Sequence, residues 1–174
     1  MSFLKSLFKS SRFGADADTL YAAIVAAARR PGWYREGRVP DTIDGRFDMV
    51  AAVTAIALIR LERDGPEGNA AATRLTEAFV ADMDGQLREA GVGDVVVGKQ
   101  IGKMVSALGG RLTAYRTALA EQDDAAFGDA LVRNLYRGTD PGPEAVTVAA
   151  GGLRRVEAGM AGRSVADLLE GHIA

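Results

Sequence analysis

The stretch from Gly93 to Lys99, GDVVVGK, is the nearest approach in this chain to a nucleotide site. A phosphate loop needs successive amides around the phosphates, a lysine that reaches them, and a Ser or Thr next to that lysine to hold magnesium. Here Gln100 takes the magnesium position, valines fill the loop and a helical pattern precedes it, so the groups that do the chemistry are missing. Asp82-Met83-Asp84-Gly85 opens like a calcium loop. Counted from Asp82, however, Leu87 falls where the turning glycine belongs and Gly93 where the bidentate glutamate belongs. Calcium is rejected on the same grounds. The chain has no cysteine, which closes disulfides, thiol nucleophiles and thiolate metal sites. Its one histidine, His172, leaves neither a His-based triad nor a multi-His metal site. Carboxylate or lysine catalysis stays open in principle, but no pair of acidic residues is singled out by spacing. The expectation is therefore a protein without catalytic residues, metal or cofactor.

Those residues sit on two helices and the joint between them. Leu75, Phe79, Met83 and Leu87 recur every four residues up to Gly91, and Val97, Ile101, Met104, Leu108, Leu112, Tyr115 and Leu119 then alternate steps of four and three. Gly91 can close the first helix in a left-handed conformation, and Asp94 is placed to cap the free amides of the second. The second helix is expected to reach about Glu121 despite Gly102, Gly109 and Gly110, which point to close backbone packing or a kink because each costs about 1 kcal/mol against alanine. Arg88 and Glu89 beside Asp82 and Asp84, with Lys99, Lys103 and Arg111 on the next helix, make a charged face. It reads either as solvated surface with weak ion pairs or as a partner surface.

The remaining chain is helical by the same criteria. An alanine-rich run, TLYAAIVAAARR, is stopped by Pro31-Gly32, and Trp33 and Tyr34 are expected to pin the following loop to the core. Asp44 is the expected cap of a helix apolar on nearly all sides, FDMVAAVTAIALIRLERDG, which belongs in the middle of a bundle. Its uncharged run is far short of the roughly twenty residues that cross a bilayer. Further helices carry Phe127, Leu131 and Leu135, and then Val146, Ala149, Leu153, Val156 and Met160; Ser164 with Asp167 resembles a capping pair before a last, weakly docked turn. No strand pattern of useful length appears beyond the three valines 95–97. The predicted fold is all-α, one bundle of about six or seven helices over residues 16–174.

Residues 1–15 form a separate segment, in which Phe3, Leu4, Leu7 and Phe8 face one side of a helix and Lys5, Lys9 and Arg12 the other. Such a cationic amphipathic stretch suits a membrane surface. It lacks the continuous apolar core and cleavage pattern of a secretory signal. The formal charge of −2 over 174 residues gives no global basic excess, so nucleic acid is not an expected partner.

In order and spacing, Asp41-Thr42, Gly45-Arg46-Phe47, Asp82-Met83-Asp84, the run from Leu87 to Asp94, Val97, Lys99, Gly110-Arg111 and Tyr115 resemble the ubiquinol-cytochrome c chaperone family. The resemblance covers about Tyr34 to Leu119, and LREAGVGDVVVGK is its most specific piece. It implies an all-helical, non-catalytic assembly factor for the cytochrome bc complex, respiratory complex III. By resemblance, the client is newly made cytochrome b, and the place of action is the cytoplasmic face of a bacterial inner membrane. The partner-binding residues it implies are Asp41, Arg46, Phe47, Asp82, Asp84, Leu87, Arg88, Glu89, Asp94, Val97, Lys99, Arg111 and Tyr115. The competing reading is a helical domain that binds a small molecule or lipid in an apolar pocket beside the glycine-bearing helix. An open groove edged by the named charges favours the first; a large closed cavity favours the second.

Overall fold

A computed structural model describes residues 17–120 and 124–173. The expected membrane-surface residues from Phe3 to Arg12 lie outside this range. The first helix, α1, spans 17–28, and a short helix, α2, follows at Gly32–Arg35. Then come α3 (Ile43–Leu61), a 3-10 turn (Glu62–Asp64), α4 (Gly65–Glu89), α5 (Asp94–Ala120), α6 (Asp124–Asn134), α7 (Pro143–Ala161) and α8 (Val165–Leu169). No strand occurs among the described residues, and Val95, Val96 and Val97 lie in the first turn of α5.

The helix without a polar side occupies the centre. Every residue from Asp48 to Leu61 is buried, and α3 is surrounded by α4, α5 and α7. Its cap differs from expectation. Thr42, extended at φ −121° and ψ 169°, folds its side chain over the first turn, and Oγ1 accepts the Gly45 amide at 3.1 Å. Asp44 is thereby left free to pair with Arg137 at 2.8 Å. At the other end of α3, buried Arg60 donates to the carbonyls of Met160 (3.0 Å) and Arg163 (2.5 Å) and pairs with Asp64. Met160 lies in the last turn of α7 and Arg163 just beyond it, where a helix lacks its own donors, so one guanidinium joins two helix ends.

The four-residue period of α4 is reproduced as a buried face. Leu75, Phe79 and Met83 are inside, and Phe79 meets Tyr21 of α1 edge-on at 6.4 Å and Phe47 of α3 at 6.1 Å. Pro66 lies in the first turn of α4, where its missing amide has no helical acceptor to lose. It starts that helix as well as ending the preceding one.

Trp33 and Tyr34 pin their segment as expected, through α1. The Trp33 indole donates to the Ala27 carbonyl at 2.7 Å and the Tyr34 hydroxyl to the Ala28 carbonyl at 2.9 Å. The indole then lies against α7 at Gly152, where a Cβ would stand 2.4 Å from ring carbon Cζ3. Gly152→Ala is therefore expected to lower stability by about 1–3 kcal/mol through overpacking, read as a lower thermal midpoint. The chain closes on α8, capped by reciprocal bonds between Ser164 and Asp167, with Val165, Leu168 and Leu169 buried. That burial makes the last turn a docked element, contrary to the weak attachment expected.

Among the described residues, no helix is long and apolar enough to cross a membrane.

Candidate functional site

The corner between α4 and α5 follows from its glycines. Gly91 adopts φ +79°, its amide bonds to the Arg88 carbonyl at 2.9 Å, and the Val92 amide reaches back to the Leu87 carbonyl at 3.0 Å. The last carbonyls of α4 thus find donors while the chain reverses. A side chain at φ +79° is strained, so Gly91→Ala should cost about 1–2 kcal/mol, measurable by denaturant unfolding.

Asp94 does not cap α5 as expected. It is the first helical residue, the Val96 and Val97 amides bond to the Gly93 carbonyl, and the Asp94 carboxylate instead accepts Arg88 Nη1 at 2.5 Å. Arg88 Nε also donates to Asp84 at 2.6 Å, one turn back on α4. A single exposed guanidinium therefore spans the corner, and the bonds to Asp84 and then Asp94 raise its pKa further above ordinary arginine.

These three charges edge an open groove of about 590 Å³ whose apolar wall includes Val80, Val97 and Ile101. Leu87 is half-buried nearby; Glu89 and Lys99 are exposed, and neither makes an ion pair among the described residues.

From the groove a strip continues along α5. Val95 is 95% exposed and Val105 38%, and Gly98, Gly102 and Gly109 fall between and beyond them in steps of three and four. A Cβ at any of these glycines would meet nothing within 4 Å among the described residues. Close packing within the fold, expected for Gly102, Gly109 and Gly110, is therefore corrected: all three are exposed, and α5 runs through them as one helix. The outward face of α5 thus carries exposed glycine backbone and valine side chains, with Lys99, Lys103 and Ser106 exposed beside them.

The other expected partner-binding residues fall elsewhere. Asp82 faces α1, accepting the Tyr21 hydroxyl at 2.7 Å. Asp41 and Arg46 form an exposed pair at 2.7 Å, and that bond holds the Asp41 carboxyl below the ordinary aspartate range. Arg111 and Tyr115 are 4% and 0% exposed, which corrects their expected place on a partner surface. Arg111 lies about 25 Å along the helix from Asp94, at 1.5 Å per residue.

There it pairs with buried Asp48 at 2.5 Å, donates to the carbonyls of Ala107 and Asn134, and stacks over half-buried Phe47 at 5.8 Å. Arg137 closes the cluster on Asp48 at 2.6 Å. Burial raises the Asp48 pKa against the opposing pull of Arg137 and Arg111. Tyr115, one turn further, packs edge-on to Phe127 at 5.5 Å, and burial pushes its phenol up.

Sequence reasoning missed Asp48, Asn134 and Arg137. The available signal was a lone aspartate inside the apolar run of α3. As for metals, Asp167, Glu170 and His172 place ligand atoms within 4.8 Å of one another, but Asp167 already serves the Ser164 cap and the other two are exposed.

A family model described as Ubiquinol-cytochrome C chaperone matches residues 35–174, well beyond the stretch whose motifs carried the resemblance. Among solved structures, the crystal structure of the Cbp3 homolog from Brucella abortus superposes with a TM-score of 0.82 at 33% identity, over 98% of this chain and 94% of that one. No curated protein matches significantly.

Proposed function

Because the chain belongs to the ubiquinol-cytochrome C chaperone family, with its assembly role toward respiratory complex III, we propose that its client is newly made cytochrome b, held at the α4–α5 corner, and that it carries out no reaction of its own. The observation that carries this reading is the continuity of the charged groove with the exposed strip on α5. Asp84, Arg88 and Asp94 edge the groove, Gly98 lines it, and Gly98, Gly102 and Gly109 add no side chain to the strip beside the exposed Val95 and Val105. Small residues at such spacing let a second helix approach backbone to backbone, which suits an apolar client helix emerging into or out of a bilayer. The groove is open, which favours client binding over the closed pocket of the competing reading.

Client binding at this edge is tested by replacing the native gene with an Arg88→Glu variant and measuring assembled complex III and haem b. The charge reversal sets a third carboxylate against those of Asp84 and Asp94, so the expected result is normal helical content with reduced complex III. Unchanged complex III, with the variant present at the native level, would contradict the placement.

The protein acts, in this reading, at the cytoplasmic face of the inner membrane as a peripheral component. Residues 1–15, with Phe3, Leu4, Leu7 and Phe8 opposite Lys5, Lys9 and Arg12, supply the membrane contact. Removing residues 1–13 should reduce co-sedimentation with anionic liposomes; undiminished binding would remove that part of the proposal.

A further inference from the structure

A second concavity shares no residue with the α4–α5 groove. It is about 580 Å³, within the range of small-molecule sites, and lies where α1, α2 and α7 meet Ile173. Trp33, Val156 and Ile173 give it an apolar interior. The one polar atom of the indole is already bonded to the Ala27 carbonyl, so that wall asks nothing polar of a ligand.

The rim differs in kind. Arg30 and Arg155 both line it, both are exposed, and neither makes an ion pair with any described residue. Glu36 brings the opposing charge, and Arg35 offsets it at 3.9 Å. An apolar interior with free guanidinium groups at its mouth selects a molecule that is apolar at one end and an oxyanion at the other. The cationic N-terminal segment of this same chain has the wrong charge for that mouth.

We propose that this cleft binds a single-chain aliphatic carboxylate, with its chain against Trp33 and its carboxylate held at the rim by Arg30 and Arg155. The site is separate from the client groove and does not rest on the reading given for it.

Trp33 is the chain's only tryptophan, so the indole itself reports the site. Dodecanoate, titrated into the full chain below its micelle concentration, should change the Trp33 emission saturably. Shorter acids should bind about fourfold more weakly per methylene removed. Arg30→Gln with Arg155→Gln should weaken binding at least tenfold while leaving the melting midpoint unchanged, and dodecyltrimethylammonium should bind no better to the native protein than dodecanoate binds to that double variant. Val148→Trp, at the half-exposed lip, should abolish dodecanoate binding by calorimetry even if the arginine variant were to unfold. The proposal is overturned by the absence of saturable binding, by equal affinity for the cationic amphiphile, by an unaltered affinity in the folded arginine variant, or by a response to anionic vesicles with none to monomeric dodecanoate.

Discussion

Arg111→Ala is expected to destabilise the protein by about 3–5 kcal/mol, because it strands a buried carboxylate with half of its partners removed. Asp48 is 2% exposed, and its oxygens are shared by Arg111 and Arg137. Without Arg111 the Asn134 carbonyl also loses its side-chain donor, and Phe47 loses the cation above its ring. At roughly 2–4 °C per kcal/mol for a chain of this size, the thermal midpoint should fall by roughly 10 °C. The matching experiment is a double-mutant cycle in which Asp48→Ala is added. If the two residues form a unit, the double variant should be clearly more stable than the sum of the single losses predicts. Strict additivity would mean that the pair does not act together. The cluster holds α3, α5 and the end of α6 in register, and that frame orients the exposed side of α5.

Gly98→Leu with Gly102→Leu should separate stability from function in the opposite sense. Both positions are exposed in a helix interior, and a Cβ added at either meets no described residue within 4 Å. Leucine is the better helix former, so each replacement should add about 0.7 kcal/mol of stability. The same side chains would fill the strip on which a client helix is proposed to lie. Client capture should therefore fall at least tenfold, or about 1.4 kcal/mol, in a protein that melts higher than the native one. Gly→Ala at the two positions should gain similar stability with a smaller loss of capture, since a methyl group obstructs less than an isobutyl group. A stabilised leucine variant with full capture would remove α5 from the contact.

The helical elements were legible because burial follows periodicity. The series Leu75, Phe79, Met83 is wholly inside, as are Leu108, Tyr115 and Leu119 of α5. The corner was legible for a different reason: Gly91 is followed by another glycine and an acidic residue, and few conformations other than a helix end suit that order. The details depend on what lies across space. Thr42 and Asp44 are both competent caps; in the fold Thr42 takes the cap and Asp44 pairs with Arg137, 93 residues away. The Asp48 cluster was hidden for the same reason, since Arg111 lies 63 residues from its partner and Arg137 lies 89.

The glycines of α5 show the limit most clearly. A glycine within a helical pattern signals that a side chain is disfavoured, but not whether the disfavouring neighbour belongs to the same molecule. Among the described residues nothing lies within 4 Å of a Cβ at Gly98, Gly102 or Gly109. Of the family-derived residues, Asp84, Arg88, Asp94 and Val97 converge on one groove, whereas Arg111 and Tyr115 support the frame behind it. The family resemblance marks both kinds of residue alike. Burial separates them.

In the proposed function the α4–α5 corner and the outer face of α5 touch the client. The direct measurement is site-specific photo-crosslinking in cells making complex III, with the photoreactive residue at Val95 or Gly102 and, as the control, at exposed Arg35 in α2. Adducts with newly made cytochrome b are expected from Val95 and Gly102 and none from Arg35. Adducts from Arg35 alone, or none from the α5 positions while complex III still assembles, would contradict it.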